Sequence, residues 1–190
     1  MGTGFGFTST FPVSDSNFLK DFSKDKDNLT LVLNKENMGC VNGRNYGYEI
    51  AFNLRSKAKY ILLLDNDQYV GKGWLKQHIE FLKERYDAVG VEAWQINSNF
   101  MPSCHNTKIE QPFSYLGSGG FLIKSKIIEK IGLLDPKYSP SYFEDPDFCF
   151  KLIENGYRIG WNINNKITHM SDSTNLDTTE KRRNFKKSYI

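Results

Sequence analysis

Cysteine, long apolar runs and charge of one sign are all scarce in this chain. Cys40, Cys104 and Cys149 are too few and too scattered for a disulfide framework or a zinc knuckle, and they suit a reducing compartment. No apolar run approaches the ~20 residues of a membrane-spanning helix. The start, Met1-Gly2-Thr3-Gly4, lacks the basic region and apolar core of a secretion signal. These absences set a cytoplasmic expectation. The basic end, Lys181-Arg182-Arg183 and Lys186-Lys187, is the feature suited to peripheral membrane contact. Lys and Arg number 25 against 22 for Asp and Glu, so a net charge of +3 gives no push toward nucleic acid.

What is present is enough for one folded unit. Of the 190 residues, 39% are hydrophobic and 14% aromatic, which supports a single core. No internal repeat or linker divides the chain. One domain is expected over 1–170, beginning with an irregular segment over 1–13. A polar and basic tail follows over 171–190.

The organising stretch is Tyr60-Ile61-Leu62-Leu63-Leu64, which runs straight into Asp65-Asn66-Asp67. A short continuous apolar run predicts a strand buried on both faces. Ligands of open α/β sheets bind outside the carboxyl ends of strands. Two carboxylates there suit a hard divalent cation and, through it, a diphosphate. Asp and Asn are also common turn residues, so a plain strand-to-loop turn is the competing reading.

Elsewhere the spacing predicts helices over 14–22, 41–55, 73–86 and 125–131, and strands over 29–33, 88–91, 121–123, 158–163 and 166–169. Tyr46, Ile50 and Leu54 are expected on the inner face of the second helix. Residues 92–116, holding Trp94 and His105, show no periodicity and read as a long loop. A last helix opens at Glu144-Asp145-Pro146, with Asp145 expected as N-cap and Pro146 at the first helical position. Alternation of strands and helices predicts an α/β layered sheet.

Several segments together resemble the family 2 glycosyltransferases, which have the GT-A fold. They are Asn34-Lys35-Glu36-Asn37-Met38-Gly39 with Arg44-Asn45-Tyr46-Gly47, the strand ending in Asp65-Asn66-Asp67, and Gly117-Ser118-Gly119-Gly120-Phe121-Leu122-Ile123. Further on come Ile131-Gly132-Leu133-Leu134-Asp135, Phe143-Glu144-Asp145-Pro146-Asp147-Phe148-Cys149, and Gly156-Tyr157-Arg158-Ile159 running on to His169. The resemblance implies a Rossmann-like, mixed and mostly parallel sheet flanked by helices.

It also implies roles. Asp65, Asn66 and Asp67 correspond to the DXD motif, which holds Mn2+ or Mg2+ against the donor's diphosphate. Asp67 is the expected direct ligand, with His169 completing the metal site. Gly119 and Gly120 let backbone approach the donor. Asp145 matches the base that deprotonates the acceptor, with Glu144 as its rival. The implied activity is inverting transfer of a sugar from a nucleotide-sugar to a hydroxyl of a glycan, lipid-linked or protein acceptor. The family's usual N-terminal half, a buried strand, a helix and a second strand, is not recognisable before Leu29. The chain is therefore expected to be part of a longer transferase, or to have its sheet completed by a second copy or a partner chain, unless residues 1–13 supply a strand. A non-catalytic binding or scaffold subunit is the alternative. A nucleotidyltransferase is disfavoured by the lack of a Gly-rich phosphate loop with a basic residue near the start.

Overall fold

The computed structural model describes residues 5–9, 20–21, 24–25, 29–54, 58–106, 108, 112–169 and 183, with backbone alone at 5–9, 29 and 54. Most of the helix expected over 14–22, and nearly all of the tail, lie outside the described residues.

Two strands open the chain: β1 (Phe5–Ser9) and β2 (Leu29–Leu33). They pair in parallel, so the N-terminal segment does supply a strand. Helix α1 (Gly39–Leu54) follows. Its start is fixed by backbone chemistry. The amide groups of Cys40 and Val41 donate to the Pro140 carbonyl at 2.7 and 3.3 Å. Gly39 has φ +73°, and a Cβ there would lie 2.8 Å from Pro140. Only glycine meets both demands. The inner face of α1 differs from the expected stripe. Val41, Tyr48 and Phe52 pack into the core, whereas Tyr46 is exposed.

The organising run forms β3 (Tyr60–Leu63). It is half-buried rather than covered on both faces, because it ends the four-stranded sheet instead of lying inside it. The other members are β5 (Ala88–Gly90), β9 (Phe121–Lys124) and β10 (Ile159–Trp161), in the order β10-β5-β9-β3. β10 pairs with β5 in parallel, while β9 runs against both β5 and β3. Three of the four strands thus share one direction, and the sheet is mixed as expected. Helices α2 (Trp74–Arg85), α3 (Ser125–Ile131) and α4 (Glu144–Glu154) accompany it. Val89 and Leu122 from the sheet meet Leu82 of α2, while Phe121, Ile123, Phe148 and Leu152 join the larger core cluster.

The expected loop over 92–116 is instead a small antiparallel sheet. Strands β6 (Ala93–Ile96), β7 (Pro102–His105) and β8 (Tyr115–Leu116) pair in the order β7-β6-β8. Strands this short, one opening with proline and fully exposed, leave almost no alternation for sequence to display. Trp94 and His105 pack against each other across β6 and β7, their ring centroids 4.7 Å apart. A final two-stranded pair joins β4 (Gln68–Val70) to β11 (Ile167–His169), antiparallel, with His169 opposite Gln68.

Candidate active site

The last pairing brings the site together. Asp65 and Asp67 lie between β3 and β4, and His169 ends β11. The β4–β11 register therefore sets His169 beside Asp67 although about a hundred residues separate them. The His169 Nε2 lies 3.0 Å from Asp67 Oδ1. One atom each from Asp65, Asp67 and His169 falls within 4.8 Å of the other two. Two carboxylate oxygens and one imidazole nitrogen in a half-buried cluster form a donor set that could hold a divalent metal ion. Sequence brought all three residues forward, and the structure gathers them.

Asp65 is held from three sides. Its amide donates to Gln68 Oε1 at 2.9 Å, and Arg44 Nη2 donates to its Oδ1 at 3.1 Å. On the third side stands Gly119. A Cβ at that position would lie 2.7 Å from Asp65 Oδ2 and 2.8 Å from Gln68 Nε2, so the glycine is what gives these side chains room. Gly120, at φ +76°, donates its amide to Leu63 O at 2.9 Å and turns the loop into β9. Behind it, buried His78 bonds the Gly120 carbonyl through Nε2 at 2.9 Å, and Asn162 Nδ2 meets its other ring nitrogen at 3.0 Å. The sequence pattern does not single out this histidine.

Across Arg44 lie the two carboxylates of α4. Arg44 Nη1 is 3.4 Å from Glu144 Oε1 and 3.7 Å from Asp145 Oδ1. One guanidinium thus bridges the Asp65 side of the site to the α4 side. Sequence reading had placed Arg44 in a motif without giving it a role. The signal available in sequence is that Arg44 is the one charged residue between Gly39 and Tyr48. Asp145 Oδ2 also accepts from the Ser118 amide at 3.2 Å. The expected capping by Asp145 is not observed. Helix α4 begins two residues earlier, at Glu144, after Phe143 in a left-handed conformation, with no side-chain cap. Asp145 sits in the first turn, and its carboxylate turns to the Gly117–Gly120 loop instead. Asp147 is braced by the Tyr138 hydroxyl at 3.0 Å, away from these groups.

Glu144 and Asp145 are unequal. Glu144 is buried, and its Oε2 has no hydrogen-bond partner among the described residues. Burial, with the adjacent Asp145 charge, pushes its carboxyl up to about 7, against the pull of Arg44. Asp145 retains 25% of its side-chain exposure. Burial raises its pKa too, opposed by Arg44 and by its bonds to Ser118. At His169, burial opposes the charged ring. The Glu92 hydrogen bond and charge, with the charges of Asp67 and Asp65, outweigh it and raise the pKa.

The sequence model for glycosyl transferase family 2 matches residues 15–134, well over half of the chain. The chain belongs to glycosyl transferase family 2. Among solved structures, GalNAc-T7 with UDP, GalNAc and Mn2+ superposes with a TM-score of 0.70 at 12% identity, over 88% of this chain and 37% of that one. TarS of S. aureus gives a TM-score of 0.54 at 15% identity, over 79% of this chain and 28% of that one. At such identities the likeness is one of fold, and it shows the glycosyltransferase GT-A architecture. The family 2 chain thus spans little more than a third of the first structure and less of the second. No curated protein matches it by sequence. Among the described residues no helix is long and apolar enough to cross a membrane.

Proposed function

We propose that this family 2 glycosyltransferase is metal-dependent and inverting. It would move a sugar from a nucleotide-diphosphate donor to a hydroxyl of a glycan, lipid-linked or protein acceptor. The observation that carries the reading is that Arg44 lies between two acidic groups: Asp65, gathered with Asp67 and His169, and Asp145, which keeps part of its exposure.

Asp67 and His169 would hold Mn2+ or Mg2+, with carboxylate oxygen as the ligand type that suits either ion. A cation bound there supplies charge that stabilises the departing diphosphate. The residues of the chain do the rest. Asp65, fixed by Arg44 and Gln68, orders the donor side, and Gly119 keeps the approach open. Asp145 takes the proton of the acceptor hydroxyl, which is a poor nucleophile while protonated. Its remaining exposure favours it over Glu144, which is buried. Glu144 instead holds Arg44 in place. A single displacement with the base on one side and the leaving group on the other inverts the anomeric centre.

The scaffold alternative would use the same fold without turnover. Incubating the chain with Mn2+, a panel of nucleotide-sugars and candidate acceptors, and following nucleoside diphosphate release, separates the two. Release that requires Asp145 supports the transferase. Binding without release by the wild-type chain, for every donor and acceptor tried, supports the scaffold.

A further inference from the structure

Glu92 lies in none of the motifs discussed above, yet it touches the candidate metal cluster. It occupies the short connection between β5 and β6, and its carbonyl accepts from the Gly117 amide at 3.1 Å. Its side chain reaches His169, where Oε1 lies 2.9 Å from Nδ1. On the far side of the same ring, Nε2 faces Asp67 Oδ1 at 3.0 Å. The imidazole is therefore gripped between two carboxylates that come from separate parts of the fold. Glu92 stands behind the ring and lies outside the ligand cluster of Asp65, Asp67 and His169.

The two sides of an imidazole are chemically linked. A hydrogen bond accepted from Nδ1–H fixes both tautomer and orientation, and leaves Nε2 with its lone pair toward the metal. Without such a partner the ring can rotate about its side-chain torsions, and neutral imidazole can carry its proton on either nitrogen. His169 is the last residue of β11, where pairing with β4 orders its backbone but leaves the ring angle open.

We propose that Glu92 is a positioning residue, holding His169 by Nδ1 so that Nε2 faces Asp65 and Asp67 and is available to a divalent cation. The proposal rests on the metal-dependent reading above. Outer partners of this kind change metal affinity by roughly 10–100-fold when replaced.

The test uses the full chain and Mn2+ alone, with no donor, so that no activity is needed. Mn2+ affinity is measured by electron paramagnetic resonance for wild type, Glu92→Gln, Glu92→Leu and Asp67→Ala. Glutamine retains an oxygen that accepts from Nδ1–H, whereas leucine does not. The expected order of affinity is wild type, then Glu92→Gln, then Glu92→Leu, with the leucine variant weaker than wild type by roughly 10–100-fold. Nitrogen-15 NMR of the neutral His169 ring in the metal-free chain provides a second readout. With a carboxylate at each nitrogen, the neutral wild-type ring should carry its proton in part on Nδ1, and Glu92→Leu should shift it to Nε2, where Asp67 remains as acceptor. Equal Mn2+ affinity in wild type and Glu92→Leu overturns the proposal. So do equally weakened glutamine and leucine variants with an unchanged ring tautomer, which would mark a merely structural role. A wild-type chain that takes up no Mn2+ removes the metal reading itself. The NMR result still decides whether Glu92 orients the ring.

Discussion

Arg44 is the residue through which the two halves of the site communicate. It is largely buried at 15% side-chain exposure, facing Asp65, Glu144 and Asp145. Removing one partner from a buried ionic group leaves the remaining charges uncompensated and costs about 3–5 kcal/mol. Arg44→Met should lose stability on that scale, read from urea unfolding of the metal-free chain. A variant as stable as wild type would mean the carboxylates are solvated without it. Asp145→Asn preserves an oxygen for the Ser118 amide, so the fold and donor affinity should survive. Removing the base should cost about 10²–10⁴-fold in turnover. Near wild-type turnover in that variant would move the base to Glu144. The pH dependence follows from Glu144. Its folded pKa is raised from 4.5 to about 7, so the folded state retains a proton that the unfolded state releases. That contribution is fully present below pH 4.5 and is lost as pH rises toward 7. Thermal midpoints of the metal-free chain should therefore fall across this window, and fall less in Glu144→Gln. An identical pH profile in the two proteins would contradict the assignment.

Elements explain why some of the site was legible and some was not. Asp65 and Asp67 stand where the apolar run of β3 breaks into acidic residues, which sequence displays, whereas His169 enters only through the family resemblance. The candidate metal cluster could thus be anticipated, although only the β4–β11 register shows how its three residues meet. The same logic misled at α4. Asp145-Pro146 has cap chemistry, but the left-handed Phe143 starts the helix earlier and frees Asp145 to meet Ser118. Tertiary contact overrode local preference there. Glu92 and His78 were invisible because their partners, His169 and Gly120, are distant in sequence and their own neighbourhoods carry no motif. The small sheet over 93–116 was missed because two- to four-residue strands have too few positions to show a period. The Gly117–Gly120 loop offers an element-scale test. Gly119→Ala keeps an accessible backbone conformation, but its Cβ would enter at 2.7 Å from Asp65 Oδ2. Asp65 or Gln68 must shift, so Mn2+-dependent nucleotide affinity should fall while the unfolding midpoint changes little. An unaltered affinity would show that the approach to Asp65 tolerates a methyl group.

At the scale of the molecule, the described strands leave open edges. β3 pairs with β9 alone, and β1 with β2 alone, among the described residues. Backbone groups on such edges bond to water or to another strand. We expect the chain to self-associate or to bind nucleotide-sugar weakly by itself. Light scattering during donor titration checks this, and a strict monomer with low-micromolar donor affinity would contradict it. The central claim is that Asp65, Asp67 and His169 form a divalent-cation site for a nucleotide-sugar. Titration calorimetry of nucleotide-sugars into wild type and Asp67→Ala, each with and without Mn2+, tests it most directly. The account predicts donor binding that requires Mn2+ in wild type and disappears in Asp67→Ala, whose substitution in a loop removes no core contact. Donor binding of equal strength with and without Mn2+, or unchanged in Asp67→Ala, would contradict it.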